Sequence, residues 1–353
     1  MAGRRQHYLP RFLQRPFRYR SDKQDYVHAH ESTRSYTPST MGLGQERDFY
    51  GGPEESLADE RITASETQLA EILNGLNSAY PGASQAEMAL LVAALAVRTK
   101  RMREALGGLV KIVAAEMEQS FQTHNFMRSE VESYWTDKKK LEGMIREALK
   151  KAPPMSREAR SRVTANFKRQ WNQDRERIAS ELQARARVLA AHFFSRLDSE
   201  SAKVAEGAFR KIFDGDPTVP KRVASLSELY DFTLIEAPEH EEFILGDCAA
   251  VGFRSDRAPR LPIGDLNDEA HLEQIYLPIS PTKCIAAVLK GSNAWAQVAD
   301  INEASAALCH RFFISKCAEP GNLTRLRNLI GSAEPLASEE DIQSLMRRTY
   351  GDP

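Results

Sequence analysis

The first twenty residues carry the side chains with the clearest capacity for chemistry. The stretch 4–20 reads RRQHYLPRFLQRPFRYR and contains six arginines, one histidine and several aromatic residues, but no carboxylate. A guanidinium group binds phosphate through paired hydrogen bonds, so Arg5, Arg11 and Arg15 are candidate phosphate ligands. Three other interpretations stay open: a targeting leader, a nucleic-acid arm, or a structural segment whose arginines pair with acids such as those between positions 54 and 60.

His7 lies within this stretch and is the candidate general base. A neutral imidazole takes up a proton near pH 7 and also binds metal ions. The carboxylates of Asp48, Glu66 and Asp247 would complete an oxygen-rich pocket of the kind that holds Mg²⁺ or Mn²⁺. Each carboxylate also has a structural interpretation. Asp48 and Asp247 suit turns, and Glu66 forms a T-x-x-E capping box with Thr63.

Arg98 interrupts the apolar stripe of its predicted helix, three positions after Leu95 and four before Met102. A guanidinium buried there needs a carboxylate or a phosphate as partner, because an unpaired buried charge costs several kcal/mol. The alternative is an arginine near a helix end whose charged tip reaches water, as in the following Lys100 and Arg101. Arg98 therefore joins the candidate phosphate ligands.

The composition excludes some classes of protein. The net charge is −1, so any attraction to polyanions must come from local patches. No stretch reaches the roughly 18 apolar residues of a membrane span, and no apolar region follows the arginine-rich start, so neither a membrane protein nor a secreted one is expected. The four cysteines form no C-x-x-C pair, which favours free thiols in a reducing cytoplasm over zinc ligation or disulfides.

Hydrophobic periodicity predicts an α+β fold with three regions, and the length of the chain allows one large domain or two modest ones. Residues 1–60 form an ordered Arg/aromatic segment followed by a loop. Residues 61–215 follow a helical period and form a predominantly helical middle with a long helical hairpin of antiparallel helices. Residues 216–353 form a β-rich region with a small, mainly antiparallel sheet and terminal helices.

Local signals predict several element boundaries. The tract 21–44 reads as loop, helices begin at Ile62 and Ser84, and one long helix extends from Ser156 to about Leu197. In the C-terminal region, DFTLIEA (231–237) and EFILG (242–246) are predicted to pair as a hairpin. Further predicted strands are IYLPIS, KCIAAVL and FFIS, and further predicted helices lie at 302–310, 322–330 and 339–348.

Six stretches follow one another in a characteristic order. They are QHYLPRFLQRPF, RDFYGGPEESLADERITASETQLAEIL, AALAVRTKRMRE, EEFILGDCAAV, IYLPISPTKCIAAV and INEASAALCHRFFIS. In this order they resemble a largely prokaryotic family catalogued as domain of unknown function 4238, whose members open on a Q-H-Y-V-P-x-F type of pattern. The resemblance extends from residue 6 to about 316. It implies a single family-like domain, 1–353, to which the N-terminal stretch belongs.

The resemblance also implies which polar positions matter. They are His7, Asp48, Glu66, Arg98, Asp247 and Asn302, and Asn302 becomes a candidate substrate or phosphate ligand on this basis. One element departs from the family pattern. Where the family has an S-D-N-P turn, this chain has Gly246-Asp247-Cys248-Ala249, which keeps the aspartate and loses the other three residues. If this turn shapes a site, the resemblance implies an altered or inactive one.

Two functional hypotheses and one structural hypothesis follow, and the sequence does not decide whether the protein is an enzyme. The first is a hydrolase of phosphodiesters, with nucleic acid as substrate, Mg²⁺ or Mn²⁺ as the candidate metal, and a role in defence or as a toxin. The second is a non-catalytic protein whose Arg/aromatic segment binds nucleic acid or an acidic partner. In the third, the arginines only fix the N-terminus onto the domain. Convergence of the candidate residues in one pocket would favour the first hypothesis.

Overall fold

The computed structural model describes residues 5–21, 24–50, 56–78, 82–123, 137–211, 218–262, 272–293 and 295–334. Contacts divide the chain into two compact units. Unit 1 comprises Met1–Val110 and Ala202–Leu345, and unit 2 comprises Lys111–Ser201 and Met346–Pro353. Among the described residues, helices combine with antiparallel sheets, which confirms the predicted α+β class. No helix in this part of the chain is long and apolar enough to cross a membrane.

Unit 1 contains all the strands found in the described residues. They are β1 (Arg5–His7), β2 (Arg20–Ser21), β3 (Asp25–Tyr26), β4 (His28–Glu31), β5 (Ser35–Tyr36), β6 (Gln45–Arg47), β7 (Tyr230–Glu236), β8 (Leu245–Gly246), β9 (Val251–Phe253), β10 (Pro259–Arg260), β11 (Gln274–Pro278), β12 (Lys283–Leu289) and β13 (Phe312–Ser315). One sheet has the order β10-β9-β11-β12-β7 and another has the order β5-β4-β13-β8. The short pairs β1-β6 and β2-β3 complete the set, and neighbouring strands are antiparallel throughout.

The second sheet joins the two ends of the chain. The last strand, β13, lies between β4 of the N-terminal region and β8, with Phe313 opposite both His30 and Gly246. The prediction of loop for 21–44 is therefore wrong in part, because β3, β4 and β5 lie there. The predicted hairpin of 231–237 with 242–246 is also wrong: β7 pairs with β12, and β8 pairs with β13. The predicted β11 and β12 are confirmed and pair with each other.

The Arg/aromatic segment packs into the core of unit 1. Leu9, Leu13 and Phe17 are fully buried. The backbone N–H groups of Tyr8 and Leu9 donate to the carbonyl of Gly44 at 2.9 and 3.1 Å. Gly44 has a φ of +66°, and a Cβ there would lie 2.8 Å from the Cβ of Leu9, so only glycine fits this approach. The segment is thus an integral part of the fold, held by apolar burial.

The helices differ from the predictions mainly at their boundaries. They are α1 (Arg11–Gln14), the short 3₁₀ turn Arg15–Phe17, α2 (Ser56–Leu76), α3 (Gln85–Ala96), α4 (Lys100–Thr123), α5 (Lys138–Lys150), α6 (Arg157–Gln173), α7 (Arg175–Lys211), α8 (Thr218–Leu229), α9 (Val298–Leu308) and α10 (Leu323–Leu329). The predicted start at Ser84 is confirmed, since its hydroxyl and Glu87 form a capping box. The predicted capping box of Thr63 and Glu66 is wrong, because both residues lie inside α2.

Unit 2 is helical in its described residues. It contains the C-terminal part of α4, the helices α5 and α6, and most of α7. One apolar cluster joins Ala114 of α4 to Ala190 and Phe194 of α7. The predicted continuous helix from Ser156 to Leu197 is interrupted at Asp174, which separates α6 from α7. The predicted helix at 339–348 lies outside the described residues.

Candidate functional site

Arg98 lies in the short break between α3 and α4, where the apolar pattern appeared continuous in the sequence. Leu95 and Met102 are both buried, but they belong to different helices, so the prediction that all three share one helical stripe is wrong. The break places the Arg98 side chain inside unit 1 with only 3% of its surface exposed. A guanidinium group at this depth needs several acceptors.

Two residues that are far away in the sequence supply most of those acceptors. Arg98 Nη2 donates to Glu66 Oε1 at 2.6 Å, and Nε donates to the Tyr50 hydroxyl oxygen at 3.1 Å. Nη2 also lies 3.4 Å from the carbonyl oxygen of His7. The remaining nitrogen, Nη1, is buried and has no hydrogen-bond partner among the described residues. Burial lowers the pKa of Arg98, but Tyr50 and Glu66 outweigh it and raise the pKa above its usual value.

Tyr50 fixes the N-terminal strand against this arginine. Its hydroxyl donates to the carbonyl oxygen of His7 at 3.0 Å, and its backbone N–H donates to Gln6 Oε1 at 2.7 Å. Sequence reasoning missed Tyr50 as a site residue, although it lies two positions after Asp48. We refer to His7, Arg11, Tyr50, Glu66 and Arg98 as the His7 cluster.

The His7 ring is half-buried at the edge of this cluster. Its Nε2 lies 3.2 Å from the carbonyl oxygen of Met41, so in the neutral ring Nε2 carries the proton and Nδ1 keeps its lone pair. Burial lowers the pKa of His7, and the positive charge of Arg11 lowers it further. The carbonyl groups of Met41 and Thr40 and the carboxylate of Glu66 act in the opposite direction. The net shift is downward, which keeps the imidazole neutral at pH 7.

Arg11 is the second guanidinium group near His7. It interacts electrostatically with the imidazole, and its Nε is buried without a hydrogen-bond partner in the described part of the chain. Glu66 has about a third of its side chain exposed, in contrast to the buried Arg98. The cluster therefore combines a neutral base, two guanidinium groups with unmatched donors, and a carboxylate that still reaches solvent.

Asp247 lies elsewhere in unit 1 and has a structural explanation. It is fully buried at the end of β8, and its carboxylate accepts backbone N–H groups of three consecutive residues, His310, Arg311 and Phe312, at 2.7, 2.9 and 3.3 Å. Burial raises its pKa, while these amide bonds and His310 oppose the rise. The carboxylate thus fixes the chain just before β13.

The carboxylate of Asp247 acts electrostatically on Tyr8. Burial raises the pKa of the Tyr8 hydroxyl, and the nearby negative charge of Asp247 raises it further. The electrostatic neighbours of His7 include Arg11 and Glu66 instead.

A histidine that sequence reasoning missed lies beside Asp247. His310 Nδ1 is 2.6 Å from Glu104 Oε2, and its backbone N–H is one of those bound by Asp247. A carboxylate that orients an imidazole is a common arrangement in acid–base sites. The only sequence signal was its position in the INEASAALCHRFFIS stretch.

Asp48 and Asn302 are not members of the His7 cluster, and each has a structural explanation. Asp48 has a φ of +53°, which aspartate tolerates in turns, and its nearest cation is Arg47 Nε at 4.0 Å. Asn302 clamps the chain before β8: its Nδ2 donates to the carbonyl of Glu242 at 2.8 Å and its Oδ1 accepts from the N–H of Ile244 at 3.0 Å. The cleft beside Asn302 is also lined by Glu303 and other glutamates, which is unfavourable for a phosphate.

The other predicted phosphate ligands differ in their surroundings. Arg15 Nε is 3.3 Å from Asp25 Oδ2, and Arg18 Nη1 is 3.4 Å from Asp25 Oδ1. These pairs match the structural interpretation for part of the segment. Arg5 is exposed at the start of β1. The acids between positions 54 and 60 lie where the structure describes no side chains.

The turn that departs from the family pattern is packed around two thiols. A Cβ on Gly246 would lie 2.9 Å from Cys309 Sγ and 3.0 Å from Cys248 Sγ, so the serine of the family pattern would not fit beside these cysteines. Both thiols are buried, and burial raises the pKa of Cys309 well above its usual value. Ala249 adopts a φ of +60°, which a proline at that position would not allow.

The described residues contain no group of three or more His, Cys, Asp and Glu side chains arranged to hold a metal ion. Within the His7 cluster, His7 and Glu66 are the two side chains of a metal-ligating type. Mg²⁺ often binds through one or two carboxylates together with substrate phosphates, so Glu66 is the candidate protein ligand for such an ion.

Neither a curated protein nor a solved structure matches the chain. A family model described as "Protein of unknown function (DUF4238)" matches residues 5–318, which include the His7 cluster, the Asp247 turn and β13. This match confirms the family resemblance of the sequence, and the chain belongs to the DUF4238 family.

Proposed function

We propose that the His7 cluster hydrolyses a phosphodiester, with nucleic acid as the substrate class, in the cytoplasm of a prokaryotic cell. One observation carries the proposal: a histidine whose pKa is lowered lies beside a buried guanidinium–carboxylate pair in which one guanidinium nitrogen has no partner among the described residues. A neutral base next to fixed positive charge is the combination that phosphoester hydrolysis requires. Three buried free cysteines are compatible with a reducing cytoplasm.

Each member of the cluster has a role in the proposed reaction. His7 Nδ1 accepts the proton of the attacking water, whose oxygen forms the new bond to phosphorus while the bond to the leaving oxygen breaks. The leaving oxygen takes a proton from solvent. Arg11 and Arg98 stabilise the charge that develops on the phosphoryl oxygens, and Glu66 and Tyr50 keep the guanidinium of Arg98 in position.

A divalent metal ion is a further component of the proposed site. Glu66 would hold Mg²⁺ or Mn²⁺, and the ion would neutralise charge on the substrate phosphate. Asp48, Asp247 and Asn302 are not assigned catalytic roles, because the turn geometry and backbone hydrogen bonds described above account for them.

Cleavage assays with the purified full chain test this proposal. The substrates are single-stranded RNA and DNA, their duplexes, and bis(p-nitrophenyl) phosphate, each with Mg²⁺, with Mn²⁺ or with a chelator. We expect cleavage by the wild-type protein and a loss of at least about 100-fold in kcat for His7→Gln. The matched control is His192→Gln, an exposed histidine of α7 that should leave the rate unchanged. Absence of cleavage in every condition would overturn the proposal.

A non-catalytic binding function is the second candidate. It is favoured by exposed groups of the N-terminal segment: Arg5 is exposed, and Tyr19 is 40% exposed while its ring stacks on His28 at 4.0 Å. Aromatic and cationic side chains together suit base stacking and phosphate contact. In this case Arg5→Ala and Tyr19→Ala would weaken binding of an oligonucleotide, and His7→Gln would leave the affinity unchanged.

A further inference from the structure

A second concentration of positive charge lies in unit 2. Between Lys138 and Arg169 the sequence has eleven lysines and arginines against three glutamates, a net charge of +8 in a chain whose total is −1. This segment forms α5, a Pro-Pro turn and α6. Charge of one sign at this density attracts polyanions when it lies on one surface.

The two helices form a groove that gathers part of this charge. It has a volume of about 520 Å³. Its polar lining consists of Glu142, Arg146, Lys150, Arg160, Thr164 and Lys168. Four cations thus face one glutamate within the groove. We refer to it as the α5–α6 groove.

Internal ion pairs neutralise only part of the groove. Lys168 Nζ lies 3.6 Å from Glu142 Oε1, and Lys150 Nζ lies 2.6 Å from Glu147 Oε1. Arg146 and Arg160 are exposed, and within the described ranges neither has an ion-pair partner. Two guanidinium groups, one from each helix, are therefore available to phosphate oxygens.

Part of the apolar surface of the two helices is covered within unit 2. Leu141 and Met144 of α5 pack with Trp171 of α6 and with Ala179 and Leu182 of α7. Val163 and Phe167 of α6 stay exposed, but two side chains do not make the continuous apolar face that a basic helix needs in order to lie on a membrane. The charge therefore favours a nucleic acid over a lipid surface.

An exposed aromatic ring lies next to the groove. Phe167 is 37% exposed, follows Thr164 by three positions on α6, and so is its neighbour on the helix surface. One side of its ring stacks on Trp171, with centroids 5.7 Å apart and planes inclined by 19°. A supported ring beside cations can stack on an unpaired base, which a duplex does not offer.

We propose that the α5–α6 groove binds a single-stranded nucleic acid, with Arg146 and Arg160 on the phosphates and Phe167 against a base. This binding does not depend on the hydrolysis proposed for the His7 cluster. It is measured without turnover, in the presence of a chelator and with His7→Gln in the background if the wild type cleaves the probe. The binding proposal and the hydrolysis proposal can therefore fail independently of each other.

Fluorescence anisotropy with labelled oligo(dT) and oligo(U) tests the inference. The two phosphate contacts of Arg146 and Arg160 with a single strand predict a salt slope of about −1.4, so affinity should fall about 7-fold between about 50 and 200 mM salt. In Arg146→Ala/Arg160→Ala both contacts are lost, and the same change in salt should leave the remaining affinity nearly unchanged. Phe167→Ala should weaken binding by at least about fivefold without changing the salt slope.

The matched control removes the same charge from the other side of the same helix. Arg162 and Arg169 lie opposite Arg160 on α6, and neither lines the groove. Arg162→Ala/Arg169→Ala should retain the wild-type salt slope. Circular dichroism verifies that both double variants keep their helices. Equal weakening by the two double variants, equally tight binding of a duplex, or binding to anionic vesicles instead of oligonucleotides would each overturn the inference.

Discussion

Glu66 of α2 and Arg98 of the α3–α4 break form an ion pair of 2.6 Å in which the guanidinium is almost fully buried and the carboxylate is one-third exposed. The pair joins α2 to the α3–α4 break through two residues that are 32 positions apart in the sequence, and through Tyr50 and the carbonyl of His7 it also holds β1. The same contacts that would position a phosphate-binding arginine therefore also stabilise the N-terminal part of the fold.

Removal of Glu66 should destabilise the protein because the charge of Arg98 stays buried without its carboxylate. A fully buried pair loses about 3–5 kcal/mol in this situation, and the partial exposure of Glu66 lets water replace part of the interaction. We expect Glu66→Ala to lower the free energy of unfolding by about 2 kcal/mol, measured by urea denaturation. Glu200→Ala, which breaks the exposed pair with Arg196, is the control and should cost about 0.5 kcal/mol or less. Equal losses would contradict the structural role of the pair.

His30 should make the stability of the protein depend on pH. It is fully buried between the hydroxyls of Ser35 and Ser315, both at 2.9 Å from its ring nitrogens. Burial, followed by the charges of His28 and Arg327, lowers the pKa of His30 to about 4. The unfolded chain takes up this proton near pH 6.5 and the folded protein only near pH 4, so stability is complete above about pH 6.5 and is lost as the pH falls toward 4.

The expected loss is about 3 kcal/mol of unfolding free energy between pH 7 and pH 4. Urea denaturation of the wild type and of His30→Gln across this range measures it, because glutamine does not titrate. The wild type should lose about 3 kcal/mol more than the variant. Parallel pH dependence of the two proteins would show that His30 titrates normally in the folded state.

The elements that local sequence determines were predicted well. The start of α3 at Ser84 and the β11–β12 pair depend on residues close in the chain, namely a capping box and two short apolar runs across a tight turn. The β7–β8 hairpin was wrong because β8 pairs with β13, which lies more than sixty residues later. Strand pairing over such distances leaves no periodicity in the sequence that identifies the partner.

Individual residues of the candidate site could be predicted from the sequence, but the contacts between them could not. The apolar spacing around Arg98 indicated a buried guanidinium that needs a partner, and Glu66 was a candidate on separate grounds. Their pairing depends on the break between α3 and α4, which the continuous apolar pattern concealed. Tyr50 and His310 were missed, because no local pattern separates a tyrosine or histidine of a site from one of the core.

Gly246 should be intolerant of any side chain. A Cβ there would lie 2.9 Å from the backbone oxygen of Ser305 and at a similar distance from two thiols, in a fully buried turn. We expect Gly246→Ala to lower the free energy of unfolding by about 2 kcal/mol in urea denaturation. Gly143→Ala in α5 is the control: its Cβ meets no atom within 4 Å, and it should stabilise the protein by about 0.5–1 kcal/mol. A neutral effect of Gly246→Ala would show that the turn is loosely packed.

The charges around His7 should shift its pKa in opposite directions when they are removed one at a time. Arg11 lowers the pKa of His7 and Glu66 raises it. NMR titration of the His7 ring should therefore show a higher pKa in Arg11→Gln and a lower pKa in Glu66→Gln than in the wild type. His30, as an internal reference, should titrate near pH 4 in all three proteins.

The same variants connect the cluster to catalysis. If His7 is the base, the acidic limb of the pH–rate profile follows its pKa, so the limb should move up in pH for Arg11→Gln and down for Glu66→Gln. A purely structural His7 would show the NMR shifts without any matching displacement of the rate profile. A limb that moves in the same direction in both variants would contradict the assignment of His7 as the general base.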